Sequence, residues 1–234
     1  MRIPDGPIIE IKNQKKNVDR IIHLKYNVTK NLYVTLYPDR VTLWQCEPMS
    51  PICMNQRDSC SVDTFGINMD IEWKKDGSMI CLSTHKSWIY LYQVTENKNS
   101  EYYLRDIYLE QICLLKASSK ITCMSIINEA IFLSNEDCKF EILQWPNNVN
   151  ESLERRICNI LPILNPDKCN WLPIVNGNVS PITIVKIYSY MNSYIVCLLS
   201  IGAVFILYIS PDSDVFENFA RIHDDDISTC VSIN

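Results

Sequence analysis

The chain has 234 residues, of which 47% are hydrophobic and 21% are charged, and this composition excludes an intrinsically disordered protein. The net charge of −5 arises from 22 basic and 27 acidic residues, so a nucleic-acid-binding surface is not expected. Only 5 glycines occur, and neither the dinucleotide-binding nor the P-loop glycine pattern is present. These numbers favour a folded chain without a glycine-rich phosphate site.

Residues 1–19 are predicted to form an N-terminal extension before the first strand. The stretch Lys12–Lys16 carries three lysines. They would contribute roughly 3 kcal/mol at an anionic lipid surface, too little to hold a protein there alone. The opening residues lack the apolar core of a signal peptide, so we expect a reducing cytosol.

Four segments then repeat one order: an apolar strand, a second apolar strand, a turn, and a third strand closed by an aromatic residue. The predicted strands are 21–26, 32–36 and 41–44 in the first segment, 69–73, 79–83 and 88–92 in the second, 121–125, 130–134 and 140–145 in the third, and 182–187, 194–199 and 204–208 in the fourth. A weaker outer strand is predicted in each segment, at 60–64, 103–109, 156–161 and 215–219.

The closing aromatics Trp44, Tyr92, Trp145 and Tyr208 lie 48, 53 and 63 residues apart. Periods of about 40 to 50 residues with four strands each are typical of propeller blades. We therefore predict an all-β, WD40-like β-propeller over 20–234. Its blades are placed at about 20–64, 65–110, 111–165 and 179–220, and 227–234 is interpreted as the first strand of a fifth blade. On this interpretation the propeller is partial and truncated.

The stretch from Ile187 to Ser210 contains 24 residues without a charge, which is long enough for a membrane span. Its halves are rich in strand-forming residues and meet at Ser200-Ile201-Gly202, so they read equally well as a buried hairpin. The four-fold repeat favours the hairpin.

No catalytic, cofactor-binding or metal-binding residue is predicted, and no cofactor is expected. The 11 cysteines include no C-x-x-C pair, and we expect them to be free; the evenly spaced Cys46, Cys53 and Cys60 are the one set worth testing for a metal. His23 and His85 are interpreted as structural or solvated residues. The run Asp224–Asp226 is interpreted as a solvated acidic loop rather than a cation site.

Several phrases of the sequence resemble one known family. They are Arg40–Trp44 followed by Pro48, the run Glu72-Trp73-x-x-Asp76-Gly77-Ser78-Met79-Ile80-x-x-Ser83-Thr84, and Trp88–Thr95 followed by Tyr102–Leu104. The opening Met1–Pro7 also partly keeps the family's pattern, and 121–145 follows it more loosely. The chain is similar here to the Ric (ribosome control) subunit of the Golgi guanine nucleotide exchange complex for Rab-six type GTPases, most strongly over 32–104.

The resemblance implies a WD40-type propeller that acts as a scaffold in a Rab guanine nucleotide exchange factor complex, without a catalytic constellation of its own. It also implies a partner subunit, a Rab-family GTPase contacted through the complex, and a peripheral position at the Golgi membrane during endosome-to-Golgi retrograde vesicle transport. A propeller adaptor of another trafficking assembly, such as a coat, remains the alternative. An enzyme on a propeller scaffold and a membrane-spanning protein are the other two hypotheses.

Overall fold

The computed structural model describes residues 20–97, 106–146, 153–159, 174–175, 178–179, 182–190, 194–202, 204–209 and 216–222. Most of these residues lie in β-strands. Sixteen strands form four antiparallel sheets of four strands each. The strands are β1 His23–Asn27, β2 Leu32–Leu36, β3 Arg40–Gln45 and β4 Ser50–Gln56 in the first sheet; β5 Asn68–Trp73, β6 Met79–Thr84, β7 Trp88–Asn97 and β8 Asp106–Lys116 in the second; β9 Ile121–Ile127, β10 Ala130–Asn135, β11 Lys139–Gln144 and β12 Arg155–Asn159 in the third; and β15 Ile184–Tyr190, β16 Tyr194–Leu199, β17 Val204–Ile209 and β18 Phe216–Ile222 in the fourth.

Each sheet keeps its strands in chain order, which is the meander of a propeller blade. The first strands of successive blades contact one another, since β1 meets β5, β5 meets β9, and β9 meets β15. These strands therefore form the inner edge, and the predicted all-β propeller is confirmed. A short hairpin of β13 Ile174–Val175 and β14 Asn178–Val179 lies between the third and fourth blades in the chain.

Three apolar cores fill the spaces between neighbouring blades. Val34 and Leu43 of the first blade pack with Ile80 and Tyr92 of the second. The residues that alternate with these along each strand of the second blade point to its opposite face. Cys81, for example, lies in one core with Leu133 of the third blade and does not face the first blade. The third core joins the last two blades and includes Phe132, Phe140, Ile187 and Cys197. Alternation along each strand thus divides its side chains between two cores.

The segment 187–210 forms strands, in agreement with the hairpin prediction. Leu198 pairs with Val204 across the turn that contains Ser200, Ile201 and Gly202, and Tyr194 pairs with Tyr208 at the far end of the ladder. Residues 187–190, however, belong to β15, the preceding strand. Within the described residues, no helix is long and apolar enough to cross a membrane.

The first predicted outer strand, 60–64, is wrong. The outer strand is β4, and the predicted residues lie in the helix α1, Ser59–Phe65. Asp58 caps this helix, because its carboxylate accepts the N–H of Ser61 at 2.6 Å, and Gly66 ends it with a φ of 88°. The cap residues override the weak alternation that suggested a strand. The second blade also extends beyond residue 110, since β8 ends at Lys116.

The four aromatics predicted to close the third strands occupy equivalent positions in only two of the four blades. In the first blade, Val41 is the β3 residue that pairs with β2 next to the turn, and Trp44 lies three positions after it. In the second blade, Ile89 has the equivalent position next to the turn, and Tyr92 also lies three positions after it. In the third blade the hairpin closes at Phe140, so Trp145 lies two positions too far, beyond the end of β11. Tyr208 is displaced by one position, counted from Val204. Propeller loops vary in length between blades, so an aromatic spacing locates the blades and leaves the register of each strand open.

The eight described cysteines whose side chains can be placed are free, in agreement with the prediction for those positions; Cys158, Cys169 and Cys230 lie outside the described side chains. Four of them are buried in the cores, as small apolar residues. Burial raises the pKa of the Cys123 thiol to about 12 and that of Cys138 to about 11. These thiols are therefore protonated and weakly reactive at neutral pH.

Arg57 holds the connection between the first two blades, although its guanidinium is buried. Its Nη1 donates to the carbonyl of Gly66 and to Oδ1 of Asn68, both at 2.7 Å, and its Nε and Nη2 donate to the hydroxyl and carbonyl of Ser61. The guanidinium also lies 4.7 Å from the ring centre of Tyr90. One side chain thus fixes both ends of α1 against the start of the second blade.

We expect Arg57→Met to lower the free energy of unfolding by about 3 kcal/mol, because several buried acceptors lose their donor together. Urea unfolding followed by circular dichroism measures the change. Arg20→Met is the control, since Arg20 is exposed and its replacement should stay within about 0.5 kcal/mol. Equal effects of the two substitutions would contradict the role assigned to Arg57.

Candidate interaction surfaces

The inner edge of the propeller carries charged side chains in close pairs. Lys25 on β1 donates from Nζ to Oε1 of Glu72 on β5 at 2.9 Å. Two residues earlier on the same strands, His23 Nε2 lies 3.4 Å from Oδ1 of Asp70. These two pairs join the inner strands of the first and second blades at a depth where water is partly excluded.

The positive charge of Lys186 on the fourth blade also acts on the pair of Lys25 and Glu72. Burial raises the pKa of Glu72, the positive charges of Lys25 and Lys186 lower it, and the result is a raised value. Burial lowers the pKa of Lys25, but Glu72 and Asp70 raise it, so that its value is also raised overall. Lys186 lies on β15, so its charge reaches the pair from the fourth blade.

The raised pKa of Glu72 predicts a pH-dependent stability. A carboxyl group whose pKa is higher in the folded state stabilises the fold when it is protonated, and this contribution is lost as the pH rises through the folded pKa. Glu72→Gln resembles the protonated form. We therefore expect the wild-type chain to lose stability relative to Glu72→Gln as the pH rises from about 4 towards neutrality.

Urea unfolding of both proteins at several pH values measures this difference. Glu110→Gln is the control, because Glu110 is exposed on the outer strand β8. A difference between wild type and Glu72→Gln that stays constant with pH would contradict the assigned shift.

His85 has a structural position. Its Nδ1 accepts the backbone N–H of Ile67 at 2.9 Å and lies beside Gly66, where a Cβ atom would come within 2.6 Å of that nitrogen. This hydrogen bond agrees with the structural interpretation of His85, and the side chain is also exposed to solvent. His23 lies in the inner strand pair described above, which agrees with the interpretation of His23 as a structural residue; its partner Asp70 was not predicted.

The remaining predicted positions are separated or lie outside the described residues. Cys46 follows β3, Cys53 lies on β4, and Cys60 lies on α1. In the part of the chain that the structure describes, no three His, Cys, Asp or Glu side chains are grouped as a metal site would require. The segments 1–19, 224–226 and 227–234, with Lys12–Lys16 among them, lie outside the described residues.

A shallow cavity of about 590 Å³ lies on the outer rim beside α1. Its lining includes three carboxylates, from Asp39, Asp58 and Asp63, with Arg57 behind them. Asp58 is engaged in capping α1, and Arg57 is engaged in the contacts described above. The cavity therefore offers an acidic surface on the connection between the first and second blades.

Two blade faces have no neighbouring blade within the described residues. The first open face consists of Leu24, Tyr26, Tyr33, Trp44 and Met54. Leu24 is 57% exposed and Tyr26 is 45% exposed, and the rings of Tyr26 and Tyr33 lie 4.7 Å apart. Such a row of aromatic and aliphatic residues on one sheet face is typical of a surface that packs against another sheet.

The uncovered face of the fourth blade, named the fourth open face after its blade, includes Tyr188, Tyr190, Tyr194, Val196, Leu198 and the charged Lys186. Its three tyrosines are exposed, Tyr188 by 55%. Tyrosine presents a large apolar ring with a polar tip and is enriched at protein interfaces. Sequence reasoning identified these residues as strand formers, and only the arrangement of the blades shows that they face outward.

Comparison with known proteins agrees with this fold. No protein-family model matches the chain. Over 152 residues the chain is 19% identical to guanine nucleotide exchange factor subunit RIC1 of Mus musculus, a match that covers 55% of the chain and 11% of that protein. RIC1 of Homo sapiens is 18% identical over 161 residues, which covers 59% of the chain and 11% of that protein. The matched part thus spans about a tenth of the length of these curated relatives.

Two solved structures superpose on the chain. The β-propeller domain of Myceliophteria thermophila Cps50 (Swd1) superposes with a TM-score of 0.52 at 13% identity, over 80% of the chain and 52% of that domain. Kluyveromyces lactis Hsv2 superposes with a TM-score of 0.48 at 11% identity, over 86% of the chain and 49% of that protein. The first of these establishes the fold alone. The chain is a β-propeller whose sequence is similar to that of guanine nucleotide exchange factor subunit RIC1, and the resemblance predicted from its motifs is confirmed.

Proposed function

We propose that this chain is the propeller scaffold of a subunit of a Rab guanine nucleotide exchange factor complex. The observation that carries the proposal is the similarity of the sequence to RIC1 of two mammals. The propeller fold of the chain agrees with a scaffold role. Three of the phrases that indicated the family, Arg40–Trp44, Glu72–Thr84 and Trp88–Thr95, lie on β3, β5, β6 and β7, and these strands pack around one core.

A scaffold role agrees with the chemistry of nucleotide exchange. An exchange factor accelerates release by binding the nucleotide-free GTPase more tightly than the nucleotide-bound form, so it acts through a shaped surface. The open faces, the acidic cavity beside α1 and the inner edge provide such surfaces on this chain. The chain contributes binding surface, and proton transfer or a bound cofactor has no part in the proposed role.

The proposed partners follow from the same assignment. A second subunit of the exchange complex binds the propeller directly, and the Rab-family GTPase is reached through the assembled complex. The protein acts at the cytosolic side of the Golgi, as a peripheral membrane protein in endosome-to-Golgi transport. Carbonate extraction of Golgi membranes should release a protein held in this way.

Binding of purified components tests the proposal. The 234-residue chain is immobilised and offered the partner subunit of the exchange complex, the nucleotide-free GTPase, or both. We expect the partner subunit to be retained alone, and the GTPase to be retained only when the partner subunit is present. A propeller of unrelated sequence on the same resin is the control.

Two results would contradict the proposal. In the first, the chain retains neither component although its circular dichroism shows that it is folded. The chain would then not belong to the exchange complex. Retention of purified coat subunits in place of the exchange partner would assign the chain to a coat-like adaptor instead.

A further inference from the structure

A buried carboxylate holds the second connection, the residues 117–120 that join β8 of the second blade to β9 of the third. Glu141 lies on β11, and its side chain is only 1% exposed. Its Oε2 accepts the backbone N–H of Ser118 at 2.9 Å and the hydroxyl of Ser118 at 2.7 Å. Its Oε1 lies 2.7 Å from Nε of Arg155 on β12. One serine of the connection and one arginine of the outer strand therefore hold this charge.

The same anchor positions a residue of the core between the second and third blades. Ala117 immediately precedes Ser118 and is buried in one core with Leu143 of β11. Its backbone N–H donates to the carbonyl of Ser87, between β6 and β7, at 2.9 Å. The contact of Ser118 with Glu141 thus helps to keep Ala117 in this core.

Glu141 is buried, but the serine that binds it is accessible from solvent. Ser118 is exposed, and so are Lys116 and Lys120, which lie two residues before and two residues after it. Arg155 is 34% exposed. Protein kinases select their substrates partly by the charges around the hydroxyl group. A serine between two lysines is complementary to a kinase whose substrate groove carries acidic residues.

We propose that Ser118 is a phosphorylation site through which a protein kinase directed by basic residues releases the second connection. In the reaction, Oγ of Ser118 forms a bond to the γ-phosphorus of ATP, and the bond from that phosphorus to the β–γ bridging oxygen breaks. ADP leaves with the electron pair, and the hydroxyl proton passes to a base of the kinase. The proposal rests on the contacts of Glu141 and is independent of the proposed function.

The phosphate weakens the anchor in two ways. Oγ of Ser118 loses its proton and no longer donates to Glu141. The phosphate also carries a charge of about −1.5 to −2 at neutral pH, so it repels the carboxylate and competes with it for the guanidinium of Arg155. A buried carboxylate that loses its partners destabilises the folded state. The connection is therefore held in the unmodified chain and released in the phosphorylated one.

A kinase reaction tests the site itself. The folded 234-residue chain is incubated with ATP and the catalytic domain of a kinase directed by basic residues, and peptide mass spectrometry locates the phosphate. We expect it on Ser118, and we expect less of it when Lys116 and Lys120 are both replaced by Gln. A kinase directed by acidic residues is the control and should leave Ser118 unmodified. Phosphate on other residues and none on Ser118 would overturn the proposal.

A pair of variants tests whether a negative charge at this position acts through Glu141. Ser118→Glu and Ser118→Gln are similar in size and differ in charge. We expect Ser118→Glu to have a folded-to-unfolded ratio roughly tenfold lower than Ser118→Gln in urea unfolding, because only its charge opposes Glu141. On a Glu141→Gln background the two should agree within about twofold, since the opposing charge is gone. Equal ratios on the wild-type background, or a tenfold difference that persists on the Glu141→Gln background, would contradict the mechanism.

Hydrogen exchange of the phosphorylated chain provides a test that does not depend on the folding of a variant at Glu141. The amides of Ala117 and Ser118 both donate hydrogen bonds in the unmodified chain, to Ser87 and to Glu141. Both should exchange faster after phosphorylation of Ser118. The amide of Arg57, which donates to the carbonyl of Asp39 at the other connection, is the matched control and should not change. Unchanged exchange at Ala117 and Ser118 in the phosphorylated chain would overturn the release of the connection.

Discussion

The packing of one sheet face on the next is the interaction on which the rest of this structure depends. Each interior blade divides its side chains between two cores, so that Leu82 faces the first blade while the adjacent Cys81 faces the third. A shift of one residue in β6 would exchange these two directions and empty both cores. The order of apolar residues within each strand therefore specifies the blade and the neighbours of that blade together.

The polar features follow from the same arrangement. Because the first strands meet at the inner edge, their charged residues are brought from distant parts of the sequence into pairs, as Lys25 and Glu72 show. Because consecutive blades must be joined across their outer rim, the connection at α1 is fixed by the buried Arg57. The open faces are the remaining consequence, since a blade at either end of the described series has only one neighbour.

Strand order and fold class were predictable because alternation and turn spacing are local properties. The ranges predicted for β2 and β16, 32–36 and 194–199, agree with the structure residue for residue. The helix α1 was missed because seven residues give little periodicity, although Asp58 and Gly66 were readable as cap residues. The pairing of His23 with Asp70 and the burial of Arg57 depend on which strands meet, and a single sequence carries no direct record of that.

Amide hydrogen exchange of the 234-residue chain tests the central claim that blade-on-blade packing stabilises this fold. The second and third blades are covered on both faces, so β6, β7, β10 and β11 should exchange most slowly. The strands of the first and fourth blades have one uncovered face and should exchange faster. Protection of β16 and β17 equal to that of β6 and β7 would contradict the arrangement of blades described for this chain.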